Sequence, residues 1–232
     1  MKDYNINNGN LILVNSDYKF KEKNFEMDLV KFENFEIYLD ARAMSELLKI
    51  FKKLNITDEI IPVSGYRHNL LQKEIYEKSI IENGIEFTKK YVAWPGHSEH
   101  ETGLAIDLGI NEGNIDYIRP NFPYNGICQD FRNLAPNFGF IERYPFDKTE
   151  ITKISHEPWH FRYVGYPHSK IITNLNLSLE EYVFALKSFD KKHPHKFENY
   201  LIWYGKEIEN EFKCISGNNI DGYIYTKKFP IA

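Results

Sequence analysis

After Asp40 the apolar residues Ala41, Met44, Leu47, Leu48, Phe51 and Leu54 recur every three or four positions. That spacing predicts a helix with one apolar face, and Asp40 is a residue type that caps helix N-termini. EIIPVSGYR then carries a short apolar run that predicts a buried strand ending at Ser64-Gly65. A second helix is predicted from about His68 to Asn83-Gly84, with Leu71, Ile75 and Ser79 along one side. Gly84 suits its C-terminal stop, because glycine accepts the left-handed conformation. The period changes in residues 104–110, where Leu104, Ile106, Leu108 and Ile110 alternate with Ala105, Asp107 and Gly109. Alternation predicts a half-buried strand with Asp107 on its less apolar face. HFRYVG, at 160–165, predicts another strand, and Ser178 with Glu181 forms a capping-box pattern ahead of the helix LEEYVFALKSF. Beyond the proline-broken KKHPHK, a tail rich in Tyr, Ile and Phe predicts two or three short strands. Helices and strands alternate without a regular β-α-β order, so the fold class is α+β.

Composition narrows the function classes. The 232 residues suit one main domain plus a small appendage, at about 150 residues per domain. We divide them into residues 1–189 and an accessory C-terminal β-element, 190–232. The 29 basic and 33 acidic residues are intermixed for a net charge of −4, which offers no basic face to nucleic acid. No apolar run approaches the roughly 18 residues of a membrane span, and the first twenty residues lack the apolar stretch of a secretory signal. No membrane insertion is therefore expected. Cys128 and Cys214 are too few for a disulfide scaffold or a cysteine-built zinc site, and they suit a reducing compartment. The expected location is the cytoplasm.

The histidines change the picture. Four of the eight lie in two stretches, WPGHSEHETGLAIDL and ISHEPWHFRYVG, about 60 residues apart. Zinc enzymes draw three N/O ligands from such separated pieces and leave the fourth position to water. His156-Glu157-Pro158-Trp159-His160 spells H-E-x-x-H, a zinc motif that works on a helix. Pro158 argues against a helix there, and HFRYVGYP reads as strand and turn, so His156 is not expected to be a ligand.

Joined together, the two stretches give Ser98-x-His100-x-x-Gly103-x-Ala105-x-Asp107 and Glu157-x-Trp159-His160-Phe161-Arg162-Tyr163-Val164-Gly165. Upstream stand Gly65-Tyr66-Arg67 and Gln72. This order of motifs resembles the D-alanyl-D-alanine metallopeptidases, and within them the VanY-type carboxypeptidases and VanXY-type bifunctional dipeptidase/carboxypeptidases. The resemblance covers roughly residues 11–189. It implies a small antiparallel sheet with flanking helices around a zinc cleft, a scaffold shared with hedgehog signalling domains. It implies one Zn²⁺ per chain held by His100, Asp107 and His160, with Glu157 as general base. Arg67 would face the growing oxyanion or the substrate's carboxylate. Ser98 and Gln72 resemble substrate-contacting positions, and Trp159 and Tyr91 are candidates for the pocket wall. Taken singly, Asp107 also suits a turn-capping acid, Arg67 an ion-pair partner, Ser98 the cap of a helix starting at Glu99, and the two aromatics plain core.

The implied substrate is a peptide ending in D-Ala-D-Ala, above all a soluble pentapeptide precursor of peptidoglycan, as in glycopeptide resistance. Ser64 stands where some bifunctional enzymes carry an acid suited to a dipeptide's free amine, so weaker cleavage of free D-Ala-D-Ala is expected. Two alternatives remain on this scaffold: an L,D-carboxypeptidase acting on tetrapeptides, and a non-catalytic zinc-containing binding module.

Overall fold

The computed structural model describes residues 5–209 and 214–230. A small ribbon, β1 (Leu29–Lys31) with β2 (Tyr38–Asp40), leads directly into α1 (Ala41–Leu54). Asp40 caps α1 by accepting a hydrogen bond from the Arg42 backbone, and Asn55 ends it in the left-handed conformation. Next come β3 (Ile60–Ser64), α2 (Asn69–Asn83), α3 (Ile85–Tyr91) and β4 (Ala105–Ile110). Then follow α4 (Gly126–Leu134), β5 (Phe140–Tyr144), the one-turn α5 (Thr149–Thr152) and β6 (Glu157–Tyr163). α6 (His168–Asn174) and α7 (Leu179–Leu186) close this part, and α7 carries the full Ser178/Glu181 capping box.

Strands β3-β4-β6-β5 form the main antiparallel sheet in that order. Its register sets Ser64 opposite Asp107, Asp107 opposite His160, and Tyr144 opposite Glu157. Cross-strand partners share a face, so the pairing aligns Ser64, Asp107 and His160, while Glu157 and Tyr144 lie beyond an irregularity in the β5–β6 register. The other face packs on α1 and α4 through Leu47, Phe51, Ile106, Leu108, Phe131 and Phe161.

Three expectations need correction. In α1 the buried face is Ala43, Met44, Leu47, Ile50 and Phe51, while Leu48 is 46% exposed. Helix α2 buries Gln72, Tyr76 and Ser79, rather than the line of Leu71, Ile75 and Ser79. That helix covers a polar cavity, so its inward side is chosen by hydrogen bonding as well as apolarity. Strand β4 is buried on both faces, not one, because it lies inside the sheet and its second face is roofed by the cavity residues.

A second antiparallel sheet, β7 (His195–Phe197), β8 (Tyr200–Gly205), β10 (Tyr223–Lys228) and β9 (Ile215–Gly217), follows in the order β7-β8-β10-β9. It has four strands where the tail's pattern predicted two or three. Ile202 and Ile224 from this sheet join Leu11, Leu13, Ile141, Val164, Leu179 and Val183 in one apolar cluster. Polar ties add to it: Ser216 Oγ accepts from the Leu11 amide at 2.9 Å, and Asn219 Nδ2 donates to the Leu13 carbonyl at 2.8 Å. His168 bridges α6 to Tyr182 (2.7 Å) and to Thr226 of β10 (2.9 Å). Among the described residues no helix is long and apolar enough to cross a membrane.

Candidate active site

His100 sits in a 3₁₀ turn, Glu99–Thr102, that ends at Gly103 with φ +69°. A side chain at Gly103 would be strained by that φ and would crowd the Asp40 amide at 3.2 Å, so glycine is what lets the turn feed β4. Asp107 comes from β4 and His160 from β6. One ligand atom from each of the three lies within 4.8 Å of the others, and all three residues are buried. His100 Nε2 is 3.1 Å from Asp107 Oδ2, and His160 Nδ1 is 2.8 Å from Asp107 Oδ1. His100 Nδ1 donates to the Gly65 carbonyl at 2.7 Å, which fixes the tautomer and leaves Nε2 as the lone-pair nitrogen facing Asp107. Two imidazoles and one carboxylate converging in this way fit a tetrahedral Zn²⁺ with one position left for water.

Arg67 and Glu157 flank the group. Arg67 donates to Asp107 Oδ2 at 2.9 Å, to Ser64 Oγ at 2.8 Å and to Gln72 Oε1 at 3.3 Å. The Glu157 carboxylate lies 3.9 Å from His160 Nδ1. Burial pushes the Glu157 carboxyl up to about 8, Asp107 and Glu99 adding to the rise while His160 and Arg67 oppose it. For His160 burial disfavours the charged form, but the hydrogen bond to Asp107 and the nearby Glu99 carboxylate outweigh it and raise the imidazole to about 9. Burial and the Arg67 charge together push His100 down to about 4. Asp107 is held well below the usual carboxylate range despite its burial, by both histidines. One buried glutamate can therefore hold a proton near neutrality while the neighbouring aspartate stays ionised.

These groups open onto a cavity of about 330 Å³. Ser98, Tyr91 and Trp159 line it, as does Arg67. Ser98 stands at the head of the 3₁₀ turn but makes no side-chain capping bond. Gln72 is placed differently from expectation: it is fully buried, does not line the cavity, and donates to the Ala93 carbonyl at 2.8 Å while it holds Arg67 from behind. Ser64 lines the cavity and accepts from Arg67 Nε at 2.8 Å. His156 lies apart from the ligand group, 2.6 Å from the Tyr124 hydroxyl, and H-E-x-x-H runs into a strand instead of a helix. His97 binds the Asn15 carbonyl beside a separate cavity.

Several site residues escaped the sequence reading. Tyr144 lines the cavity with its ring 4.9 Å from that of His160. Arg143 and Arg162, both fully buried, pair with Glu99 behind His160. A usable signal existed: charged residues inside the aromatic strands FIERY and EPWHFRY must be paired if they are buried.

The family model for VanY, D-alanyl-D-alanine carboxypeptidase, matches residues 36–166. The chain is 42% identical over 176 residues to the bifunctional D-Ala-D-Ala dipeptidase and D-Ala-D-Ala carboxypeptidase VanXYC of Enterococcus gallinarum. That match covers 74% of this chain and 92% of the relative. The crystal structure of the vancomycin-resistance D,D-dipeptidase VanXYg with a D-Ala-D-Ala phosphinate analogue is similar at TM-score 0.91 and 47% identity, over 95% of this chain and 94% of that one. The VanY D,D-pentapeptidase of a VanB-type resistance cassette, solved as a mutant in complex with Zn(II), is similar at TM-score 0.62 and 32% identity, covering 75% and 98%.

Proposed function

The chain belongs to the VanY family of D-alanyl-D-alanine carboxypeptidases, and from that premise we propose how its own residues cleave the terminal D-Ala-D-Ala bond. It is a metallopeptidase of the D,D-carboxypeptidase/dipeptidase type. The observation that carries the proposal is the convergence of His100, Asp107, His160, Glu157 and Arg67 on one buried cavity. His100, Asp107 and His160 would hold a single zinc ion, which when bound lowers the pKa of water and polarises a carbonyl.

Glu157 takes a proton from the attacking water and delivers it to the nitrogen of the leaving D-alanine as the peptide C–N bond breaks. A carboxylate beside the ligand group but outside it is placed to serve both halves of that transfer. Arg67 is bonded to the ligand Asp107, so its charge stands beside the metal position. That placement favours the oxyanion as its partner. Gln72 and Ser64 keep the guanidinium aimed. Ser98, Trp159 and Tyr91 contact the substrate from the cavity wall.

The substrates in this reading are pentapeptide precursors ending in D-Ala-D-Ala and the free dipeptide. Removing their terminal D-alanine is the chemistry of glycopeptide resistance. A cytoplasmic location and soluble precursors are part of the proposal, supported by cysteines that are unpaired in the structure. Zinc-loaded enzyme incubated with D-Ala-D-Ala, tetrapeptide and pentapeptide precursor, with released D-alanine quantified, tests it. Cleavage of pentapeptide, with weaker cleavage of the free dipeptide, is expected; preference for the dipeptide would overturn the Ser64 argument. Cleavage of tetrapeptide alone would turn the reading to an L,D-carboxypeptidase, and zinc binding without hydrolysis to a binding module.

A further inference from the structure

We propose that Glu99 is a positioning residue for His160: it accepts the Nε2–H of that imidazole and so reserves Nδ1 for zinc. The inference rests on His160 being a ligand, as read above.

The two ring nitrogens of His160 face different groups. Nδ1 points at Asp107, 2.8 Å away, on the side where the ligand atoms converge. Nε2 points at Glu99 Oε2, 3.6 Å away. Both Nε2 and Oε2 are buried, and neither has a hydrogen-bond partner among the described residues. Two buried polar atoms without partners that face each other need approach by only about half an ångström to form a normal N–H···O bond. Glu99 can only accept, so the proton between them must sit on Nε2; the proton that Nδ1 shares with Asp107 is then the one a metal displaces, which gives Nδ1 the lone pair. This is the outer-partner arrangement through which proteins set the tautomer of a metal-binding histidine.

Glu99 is fixed for that task. Its other oxygen, Oε1, accepts from Arg143 Nε and from Arg162 Nη1, each at 2.8 Å. Arg143 is held in turn by Glu180 on α7, and Arg162 by the carbonyls of Asn10 and Ile12, both at 3.0 Å. With Oε1 taken by two guanidinium groups, the carboxylate cannot rotate, and Oε2 is left to His160. One 3₁₀ turn thus supplies His100 to the ligand group and, from the residue before it, the outer partner of the opposite ligand.

The decisive measurement is ¹⁵N NMR of the His160 imidazole in the zinc-loaded wild-type protein, assigned with His160→Ala. We expect a protonated Nε2 and a metallated Nδ1. Metallated Nε2 would overturn the role of Glu99 while leaving the ligand reading intact. Two unmetallated nitrogens would overturn both. A second arm uses Glu99→Asp, which keeps a charge for the two arginines but withdraws it from the ring. Zinc affinity by chelator competition should fall 10- to 100-fold, on the scale of other outer-partner losses, with the zinc-free thermal midpoint confirming folding. Affinity within twofold of wild type would overturn the proposal.

Discussion

Glu157 and Tyr144 face each other across the β5–β6 pair, and Glu157 owes its raised pKa to that buried position more than to any single charge. Because it stands beside the ligand group without belonging to it, metal binding and proton transfer are separable at this residue. Glu157→Gln is expected to keep stoichiometric zinc while kcat drops about 10²- to 10⁴-fold, the usual contribution of a general base. Metal analysis and steady-state rates on the same preparation check this; near-normal turnover would make Glu157 structural. Glu157 stood out in the sequence through the resemblance its motif carries, and the structure sets it beside the ligand group. Glu99 was printed in the motif that supplies His100, yet its partners lie 44 and 63 residues downstream, and no local pattern joins them. Gln72 was legible as a site residue but not in its role, since only the fold shows that it reaches Arg67 instead of the cavity.

At the scale of elements, strands were easier to read than helix faces. The alternation in 104–110 found β4, but a strand with apolar residues on one side looks the same whether its other side meets water or a buried polar cavity. Helix α1 was predicted to its first and last residues, while its inward face was misjudged at Leu48 and Ile50. An apolar stripe fixes a face only within the width of one residue's neighbours, and the fold chose Ala43 and Ile50 over Ala41 and Leu48. The distinction has a measurable consequence. Leu47→Ala should destabilise the protein by about 2–5 kcal/mol, the range for emptying a packed core position. Leu48→Ala should stay within about 0.5 kcal/mol, as surface changes do. Denaturant unfolding of both variants reads the two values, and comparable losses would restore the face expected from the periodicity.

Across the whole molecule, the C-terminal sheet is built into the peptidase core by shared apolar packing and by His168, which links α6, α7 and β10. We propose, on that packing, that residues 190–232 serve as an accessory β-element rather than a domain of their own. Burial, with some help from the charge of His195, pushes the His168 imidazole down to about 3. An unfolded chain takes up the same proton near its ordinary value of about 6.5. Between those values the unfolded state binds more protons, so this contribution is intact above about pH 6.5 and is lost as pH falls toward 3. By pH 5 the loss amounts to about 2 kcal/mol. His168→Gln should therefore show a smaller drop in stability between pH 7 and pH 5 than wild type, measured by denaturant midpoints. An equal drop would locate the acid sensitivity elsewhere.

The ties between residues 8–13 and 216–219 also bear on time. Arg162 takes two of its acceptors, the Asn10 and Ile12 carbonyls, from a segment that is itself held by Ser216, Gly217 and Asn219. A chain emerging from the ribosome makes the first of these segments 205 residues before the second. Contacts so far apart along the chain are the slow ones to form. The aromatic sheet and α1 can assemble while synthesis continues, but the brace behind His160 waits for the last strands. The newborn protein would thus possess every catalytic residue well before the brace behind one of them is complete.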